Sequence, residues 1–482
     1  MVLKVTLSPE EINALVESFT KDNRNYLAIC TLFVKSLGRR IIRDSLSQQL
    51  YIYSEAVPCY YELLEKNVIE IEFFKFLESE SFELTDKISN RIIDEITGLI
   101  FRAPNFESVV LDNYEDILFF KNGNLSLTTN VFTPPNNKLY NTSYINCDYL
   151  PNILQCPHFN EFLGQIFLGE NGDPDNDQIA KEWMKLGYLL YPKTKMEKIF
   201  IYIGGAANGK SVYFDFISTL FPAQFVSYTS IEDIISGGME RTSLLNARIN
   251  IGQEFESDYL KTAEFKKVIS GQTIEIKRKY QKAIPIVPKF KFIIALNEFP
   301  KFTDKSKAIT RRLDIVEMNA QFVPLEEYQE LKNPLLQKTF PQKDREIILK
   351  SFENEKEAIV NWAISGLLAL KQLNWQLPIT KLNEQILTEF QENNNPITVF
   401  LKERYEVCDD KIKHINWERV LQDCTESGII IEGETRRAKQ MKIAQEIKRA
   451  FNIKSYKNRI EHFYPLTIKQ TYIDILQQKI VD

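Results

Sequence analysis

The chain has 482 residues, of which 44% are hydrophobic and 26% charged, a composition typical of a globular protein with roughly two to four domains. Its net charge of -5 excludes a protein that coats nucleic acid over its whole surface, so any such contact must come from local basic patches. No apolar run approaches the roughly 20 residues that span a bilayer, and the N-terminus lacks the apolar core of a signal peptide. We therefore expect a cytoplasmic protein with no membrane partner.

The six cysteines are scattered along the chain and form no C-x-x-C pair. The three histidines are dispersed as well. Cys156 and His158 lie close together, but no second ligand pair accompanies them. This pattern favours free thiols in a reducing compartment over a disulfide framework or a zinc site.

The first 105 residues carry helical patterning. Ser8 suits an N-cap, Pro9 the first helical turn and Glu11 the reciprocal capping position. Apolar residues then recur at helical spacing, at Ile12, Leu15, Val16 and Phe19. We expect a helical N-terminal domain over residues 1–105, and we find no catalytic constellation of side chains in it.

Residues 106–195 differ from the preceding region in composition and in hydrophobic periodicity. Residues 117–120 and 125–127 are β-type runs, and Asn122-Gly123 between them is a strong hairpin signal. Helical spacing returns over residues 158–191. We expect a β-hairpin followed by helices in this region.

A glycine-rich loop follows an apolar β-type run and opens a helical segment. Gly204, Gly209, Lys210 and Ser211 fit the pattern G-x-x-x-x-G-K-[ST]. Glycines let backbone N–H groups surround a phosphate, Lys210 can reach the β- and γ-phosphates, and the Ser211 hydroxyl can ligate Mg²⁺. The alternative, a chance turn, is disfavoured by the strand–loop–helix context. We expect ATP to be bound by Gly204, Gly205, Ala206, Ala207, Asn208, Gly209, Lys210, Ser211 and Val212, with Ser211 as a ligand of its Mg²⁺.

Short apolar strands alternate with helices over residues 196–340, which predicts an α/β domain with a largely parallel sheet. Two of the strands end in polar residues suited to catalysis. Glu254 can orient the attacking water and hold Mg²⁺ through its water shell, with Glu256 as second choice. Asn297 can hydrogen-bond the γ-phosphate or the water. The alternatives are surface acids and an amide that caps its own strand.

Two basic segments flank the strand that ends at Asn297. Arg311 and Arg312 precede the next strand and suit an arginine finger that reaches the neighbouring subunit's nucleotide, Arg312 first; the alternative is a surface ion pair. The second segment is an alternating basic stretch that predicts a hairpin with Lys277, Arg278, Lys279, Tyr280 and Lys282. Such a hairpin can grip single-stranded DNA through phosphates and a stacked base, or it can be a solvated edge.

The last part of the chain is helical and then basic. Residues 341–392 predict a helical extension, and a winged-helix-like DNA-binding domain is expected over residues 393–482. Nine basic residues stand against one acid between positions 436 and 459. The functional interpretation is docking on duplex DNA, against the alternative of a solvated basic face. The side chains we expect to contact duplex DNA are Arg436, Arg437, Lys439 and Lys442.

The order of these motifs resembles that of superfamily 3 helicases, and especially the poxvirus and phage or plasmid primase–helicase family. The resemblance covers residues 108–475 and is carried by Gly204-Gly-Ala-Ala-Asn-Gly-Lys-Ser211, Glu254, Gly271-Gln-Thr-Ile, Arg278-Lys279, Pro288, Asn297-Glu-Phe-Pro300, Asp304 and Ala308-Ile309-x-Arg311-Arg312-Leu313. It implies a multidomain α/β protein with a central P-loop AAA+-like ATPase, a helical N-terminal domain and a C-terminal winged helix.

The same resemblance implies an ATP-dependent DNA helicase. It would form a homo-oligomeric ring, a hexamer, that translocates on single-stranded DNA during replication of a mobile element, phage or virus, in a bacterial host or a virus-infected cell. Two departures matter. Phe255 separates Glu254 from Glu256, which leaves the role of Glu256 open. The first 100 or so residues carry no paired-Asp motif or zinc cluster, so a separate primase or initiator would supply priming, if it occurs.

Two other functions stay open at this point. One is a P-loop NTPase switch that does not separate strands. The other is an origin-binding replication initiator that uses ATP only for assembly. DNA-stimulated ATP hydrolysis with duplex unwinding separates the helicase from both.

Overall fold

The structure is a computed structural model. It describes residues 10, 33–34, 36–37, 40–54, 57, 60–79, 90–102, 106–253, 263–279, 283–297, 311–380, 384, 396–408, 414–429, 435–453, 456–457 and 462–469. Within these residues no helix is both long enough and apolar enough to cross a membrane. The helix start expected at Ser8 lies outside the described residues.

The N-terminal part contains a β-sheet as well as helices. Its elements are β1 (Ile41–Asp44), β2 (Leu50–Tyr53), β3 (Tyr61–Leu63), α1 (Lys66–Ser79), α2 (Asn90–Arg102) and β4 (Glu107–Val109). The strands lie in the order β3–β2–β1–β4, with β1 antiparallel to β2 and parallel to β4. Ile41 and Ile52 on one face pack against Phe73 and Ile96 of the two helices.

The prediction of a helical domain over residues 1–105 is therefore wrong for the segment from β1 to β3. Each run there is three or four residues long and rich in Ile, Leu and Tyr. Runs this short cannot distinguish a helical period from strand alternation. The sheet also crosses the boundary expected at residue 105, because β4 pairs with β1.

The hairpin and the helices expected within residues 106–195 are present. Strands β5 (Ile117–Phe120) and β6 (Gly123–Ser126) form an antiparallel hairpin that pairs Phe120 with Gly123, and β7 (Phe132–Thr133) adds a third strand. Helices α3 (Pro157–Ile166) and α4 (Asn176–Leu190) follow. Asp175 caps α4 by accepting a hydrogen bond from the Gln178 backbone N–H.

A five-stranded parallel sheet lies at the centre of the protein. Its strands are β8 (Ile199–Ile203), β9 (Val226–Ser227), β10 (Ile249–Gln253), β13 (Lys291–Leu296) and β14 (Leu313–Glu317), and their order is β14–β8–β13–β10–β9. Helices α5 (Lys210–Thr219), α6 (Ile231–Ser236) and α7 (Ala263–Ile269) connect them. The prediction of an α/β domain with a parallel sheet is confirmed.

Both faces of this sheet are buried, as expected of parallel strands. Along β8, Ile199, Ile201 and Ile203 pack on one face with α6 and α7. Phe200 and Tyr202 point to the other face, where they pack with α4 and α5. Because β8 is apolar and buried on both faces, the sheet lies between two layers of helices.

Two strand pairs and a short helix also belong to the central region. Strands β11 (Ile274–Ile276) and β12 (Ile284–Ile286) form the antiparallel hairpin that the basic segment predicts. Strands β15 (Gln321–Val323) and β16 (Thr339–Pro341) form a parallel pair beside α8 (Leu325–Glu330). Because β16 crosses residue 340, the boundary between the expected ATPase domain and its helical extension falls inside a strand.

The helical extension consists of α9 (Arg345–Asn354) and α10 (Lys356–Gln372). Helix α10 packs closely along α4, so the extension is part of the central core. A Cβ on Gly187 of α4 would lie 2.2 Å from the Ala363 carbonyl of α10, so glycine allows the two backbones to approach. The described residues 376–380 are not helical, whereas the described residue 384 is, so the predicted helical extension is interrupted after α10.

The C-terminal part is a separate α+β unit with its own core. Its elements are α11 (Pro396–Arg404), β17 (Tyr405–Val407), β18 (Ile415–Asn416), α12 (Trp417–Glu426), α13 (Arg436–Phe451), β19 (Tyr456–Lys457), β20 (His462–Tyr464) and β21 (Leu466–Ile468). Strands β18, β20 and β19 form a sheet in that order, and β17 pairs with β21. Leu401, Val420 and Ile443 fill the core between the three helices.

Candidate functional site

The glycine-rich loop joins the carboxyl end of β8 to the first residue of α5. Two of its glycines are required by close contacts. Gly209 has φ +88°, and a Cβ there would lie 2.7 Å from Ile166. A Cβ on Gly204 would lie 2.2 Å from the Met318 carbonyl oxygen. The loop therefore keeps a backbone path that side chains would block.

Lys210, the first residue of α5, lies across the loop. Its Nζ donates hydrogen bonds to the Gly204 carbonyl and, at 3.0 Å, to the Gly205 carbonyl. Burial lowers the pKa of Lys210 below its ordinary value. The ammonium is thus held over the loop by two carbonyl oxygens that phosphate oxygens can replace.

Asn208 fixes the loop from the inside. Its buried side-chain amide donates to the Met318 carbonyl at 3.0 Å, and its Oδ1 accepts from the Lys210 backbone N–H at 3.2 Å. Met318 directly follows β14. The loop is therefore hydrogen-bonded to the residue that follows β14, the strand beside β8 in the sheet.

A cavity of about 300 Å³ opens over the loop, within the lower range of ligand pockets. The loop contributes Gly205, Ala206, Ala207, Asn208, Gly209, Lys210, Ser211 and Val212 to its lining. Asn297 lies on the same cavity, directly after β13. The structure thus brings the predicted strand-end amide together with the predicted phosphate loop.

The opposite wall of the cavity was missed by sequence reasoning. It consists of Phe162, Phe322, Gln342, Lys343, Arg345 and Ile348. Arg345 Nε donates to Asp215 of α5 at 3.0 Å, and this carboxylate raises the pKa of the guanidinium. Lys343 pairs with Glu161 at 2.8 Å. The only local signal was Asp344, whose side chain caps α9 and so places a helix N-terminus at the cavity.

Glu254 and Glu256 lie outside the described residues. Strand β10, which Glu254 follows, ends at the same edge of the sheet as β8, because Gly252 pairs with Ile294 and Ile294 with Ile201. β13 separates the two strands, so their axes are roughly 10 Å apart at two strand spacings.

Arg311 and Arg312 lie at the other edge of the sheet, because Leu313 pairs with Ile199 at the start of β8. The length of β8, about 16 Å, separates them from the loop of the same chain. Arg312 is 8% exposed and donates to Glu197 at 2.8 Å. Arg311 contacts the same carboxylate at 3.3 Å, but its side chain is 64% exposed.

The basic hairpin is described only in part. Lys277 and Lys279 are exposed, whereas Tyr280 and Lys282 lie outside the described residues. Arg278 does not extend freely from the hairpin: it donates to Glu65 at 2.9 Å and only 17% of its side chain is exposed. The hairpin base is thus anchored against the N-terminal part.

The cationic side chains of α13, the C-terminal basic helix, differ in their exposure and in their ion pairs. Arg436 and Arg437 are exposed at the start of α13. Arg436 pairs with Glu418 and lies over the Trp417 ring at 5.6 Å. Lys439 lines an open cavity beside this pair, and Lys442 lies 3.6 Å from the buried Glu446. Arg437 and Lys439 are therefore better placed for an external anion than Lys442.

Metal binding by side-chain clusters finds no support in the described part of the chain. It contains no group of three or more His, Cys, Asp or Glu side chains that could hold a metal ion. A single hydroxyl such as that of Ser211 suits an ion that is held mainly by phosphate oxygens and water.

Comparison with known families gives two matches. Residues 75–168 match the family described as "D5 N terminal like", a type found in phage and viral primase–helicases. Residues 202–312 match a family of unknown function, DUF5906. Each match covers less than a quarter of the chain. The first match relates residues 75–168 to DNA replication proteins of the primase–helicase type.

Comparison with solved structures finds the C-terminal region of NrS-1. The matches to three such structures each cover 89% of this chain and 96% of the matched chain. The first has a TM-score of 0.46 at 14% identity, and the other two have TM-scores of 0.40 at 15% identity. A search of curated proteins found no match.

Proposed function

We propose that the chain is an ATP-dependent DNA helicase of superfamily 3 that acts in the replication of a phage, virus or other mobile element. The observation that carries the proposal is the cavity over the glycine-rich loop, where Lys210, Asn208 and Asn297 converge at the carboxyl edge of a parallel sheet. Ligands of open α/β sheets bind at this edge. The strand order, with one strand between β8 and β10, supports an AAA+-like arrangement.

In this proposal the triphosphate of ATP lies in the loop. Backbone N–H groups and the Lys210 ammonium bind its phosphates, while Phe162, Phe322 and Ile348 offer an apolar wall for the base. Ser211 and, through water, Glu254 would hold Mg²⁺, which neutralises charge on the β- and γ-phosphates. Asn297 is placed to hydrogen-bond the γ-phosphate or the attacking water.

The position of the arginine pair supports an oligomeric ring, for which we propose a hexamer. Arg311 and Arg312 lie about 16 Å from the loop of their own chain, at the far edge of the sheet. An arginine there reaches a nucleotide only if a second subunit brings its loop to this edge. Hydrolysis would then depend on contacts between subunits.

DNA would be held at two places. Lys277, Lys279 and Tyr280 of the hairpin would contact single-stranded DNA inside the ring by phosphate binding and base stacking. The C-terminal unit orders its elements as α11, β18, α12, α13 and the β19–β20 pair, which supports a winged helix that docks on duplex DNA. A separate primase or initiator remains the proposed source of primers.

The nucleotide site is tested with Lys210→Ala and Glu254→Gln in the full chain. Lys210→Ala should abolish ATP hydrolysis, because the charge that stabilises the transferred phosphate is lost. Glu254→Gln should bind ATP and hydrolyse it poorly. Lys121→Ala, an exposed lysine in the β5–β6 turn, is the matched control and should behave as wild type. Normal hydrolysis by Glu254→Gln, together with loss in Glu256→Gln, would move the carboxylate role to Glu256.

The helicase activity itself is tested by displacement of a labelled strand from duplexes with defined overhangs. We expect ATP hydrolysis to rise with single-stranded DNA and strands to separate. Hydrolysis without separation would indicate the switch, and ATP-dependent assembly on duplex DNA without separation would indicate the initiator. The double variant Lys279→Ala with Tyr280→Ala should lose unwinding and DNA stimulation together, while basal hydrolysis is retained. Normal unwinding by this variant would move the DNA track to α13.

A further inference from the structure

A second cavity lies at the amino edge of the central sheet, opposite the edge that carries the glycine-rich loop. Its volume is about 330 Å³, comparable to that of the cavity over the loop. The N-terminal sheet, the segment after α4 and the base of the β11–β12 hairpin enclose it. Its lining includes Lys193, Thr194, Lys195, Arg248 and Lys289.

Arg248 lines this cavity and is 4% exposed. Its side chain donates one hydrogen bond, from Nη1 to the Pro192 carbonyl at 3.0 Å. Among the described residues no carboxylate lies within ion-pair distance of it, and burial lowers its pKa to about 10. A buried guanidinium with four of its five N–H donors unused is costly unless an anion pairs with it.

Lys193 is the second cation of the cavity without a carboxylate partner in the described part of the chain. Its Nζ donates to the backbone carbonyl of Asp112 at 2.6 Å, and the side chain is half-buried. The neutral carbonyl leaves two of the three ammonium donors available. Lys193 and Arg248 therefore offer charge-assisted donors from two walls of one cavity.

The other charged groups around the cavity are largely paired. Lys289 binds the Asp112 carboxylate, which lies behind the wall, and Lys195 pairs with Glu115 at 3.2 Å. Asp44 accepts a hydrogen bond from the Ser47 backbone N–H at 2.8 Å. Four cationic side chains thus stand against three carboxylates in and behind the wall, and Asp112 acts on Arg248 and Lys193 from beyond ion-pair distance. One net positive charge remains around the cavity.

We propose that this cavity binds a phosphate group, carried by a strand of single-stranded DNA or by a free nucleotide. Its place at the root of the basic hairpin favours the strand, because DNA that contacts Lys277 and Lys279 would pass close to it. The site is separate from the loop at the other edge of the sheet. The proposal therefore does not depend on ATP hydrolysis.

The test uses the full chain in a Lys210→Ala background, which weakens phosphate binding at the loop. The probes are inorganic phosphate, thymidine monophosphate and a fluorescent 20-nucleotide oligo-dT, read by thermal shift and by fluorescence anisotropy. Lys193→Gln and Arg248→Gln should each weaken the binding of the responding probe by tenfold to a hundredfold, the range for hydrogen bonds to a charged group. Lys198→Gln is the matched control: it removes a half-buried lysine from the same segment, outside the cavity.

The probes separate the two sources of phosphate. If a strand is bound, the dependence of oligo-dT affinity on salt should lose about 0.7 from its log–log slope in Lys193→Gln, one phosphate contact for single strands. If a free nucleotide is bound, thymidine monophosphate should raise the melting temperature and Lys193→Gln should remove the rise. Equal affinities of Lys193→Gln and Lys198→Gln for every probe would overturn the proposal.

Arg248→Gln removes a buried charge and can impair folding, so two further variants keep the test decisive. Arg248→Lys keeps the charge and should retain part of the binding. Thr194→Glu adds a carboxylate to the cavity wall, where Thr194 is half-buried. It should weaken the binding of the responding probe at least as much as Lys193→Gln does. Unchanged binding in folded Thr194→Glu would also overturn the proposal.

Discussion

The side-chain amide of Asn208 donates a 3.0 Å hydrogen bond to the backbone carbonyl of Met318. This contact joins the glycine-rich loop to the end of β14, and β14 begins directly after Arg311 and Arg312 at the other edge of the sheet. One strand thus connects the loop of a subunit to the arginines that we propose act on its neighbour. If the proposed nucleotide moves the loop, this strand gives the movement a direct structural route to the proposed subunit interface.

Replacement of Asn208 by alanine tests this contact. The variant loses the bond to Met318 and the bond to the Lys210 N–H, so we expect about 1–3 kcal/mol less stability and roughly tenfold weaker ATP binding. Asn146→Ala is the matched control, since it removes one amide bond to the Thr219 carbonyl at 3.2 Å, away from the cavity. It should lower the free energy of unfolding and leave ATP affinity unchanged. Equal ATP affinities in both variants would contradict a role for Asn208 at the site.

The close packing of α4 on α10 gives a second prediction. A Cβ on Gly187 would meet the Ala363 carbonyl at 2.2 Å, and a Cβ on Gly366 would meet the Trp183 carbonyl at 2.3 Å. Either alanine variant should lower the free energy of unfolding by at least about 1–3 kcal/mol, because the contacts are with backbone that cannot move aside. A Cβ on Gly98 in α2 would have no atom within 4 Å. Gly98→Ala should therefore leave the free energy of unfolding unchanged or raise it by about 0.5–1 kcal/mol. Denaturant titration measures all three.

The sequence predicts what short-range patterns determine. The Asn122-Gly123 turn and the basic hairpin follow from alternation and turn residues a few positions apart, and both are present. The wall of the cavity opposite the glycine-rich loop was not predictable in this way. Phe162 and Arg345 reach it from elements far from the loop in the chain, and only the packing of α3 and α9 brings them there.

The N-terminal sheet differs from the sequence interpretation and the burial of Arg312 was not predicted, for different reasons. β1 to β3 are too short to carry a period, and β4, the second partner of β1, lies more than sixty residues further along the chain than β1. Arg312 was identified by its type and its place before a strand, which says nothing about burial. Its partner Glu197 precedes β8, and the pairing exists because β14 and β8 are neighbours.

Acid should weaken the contact between the N-terminal part and the central sheet. Burial opposes ionisation of Asp112, but the Lys289 ammonium and the Thr142 hydroxyl and N–H outweigh it and hold the carboxyl pKa below its ordinary value. A depressed folded-state pKa adds stability that is present above about pH 4 and lost as the pH falls through the folded value.

Replacement of Asp112 by asparagine tests that prediction. The variant leaves Lys289 without its carboxylate and should lose about 3–5 kcal/mol near neutral pH. Its free energy of unfolding should also fall less than that of wild type between pH 5 and pH 3. Asp116→Asn, which breaks a more exposed pair with Lys371, should change stability by about 1 kcal/mol or less. If the free energies of unfolding of wild type and Asp112→Asn fall equally between pH 5 and pH 3, another group governs the acid sensitivity.

The last prediction concerns which arginine reaches the neighbouring nucleotide. Arg312 is buried and held by Glu197, whereas most of the Arg311 side chain is exposed beside the same carboxylate. We therefore expect Arg311 to contact the neighbour's phosphates, with Arg312 and Glu197 fixing its position, which reverses the order expected from sequence. Arg311→Ala should bind ATP normally and hydrolyse it about 10³-fold more slowly, at the low end of arginine-finger effects. Arg312→Ala should lower both hydrolysis and stability.

Mixed rings decide whether Arg311 acts between subunits. A subunit with Arg311→Ala keeps an intact loop, and a subunit with Lys210→Ala keeps an intact arginine, so one kind of mixed interface has both parts. Hydrolysis should reappear when the two inactive variants are mixed, and it should peak near equal amounts. Mixing Lys210→Ala with Glu254→Gln is the control, because both defects lie on the same side of the interface and no complete site can form. Absence of recovery in rings shown to contain both variants would mean that Arg311 does not act on the neighbouring subunit.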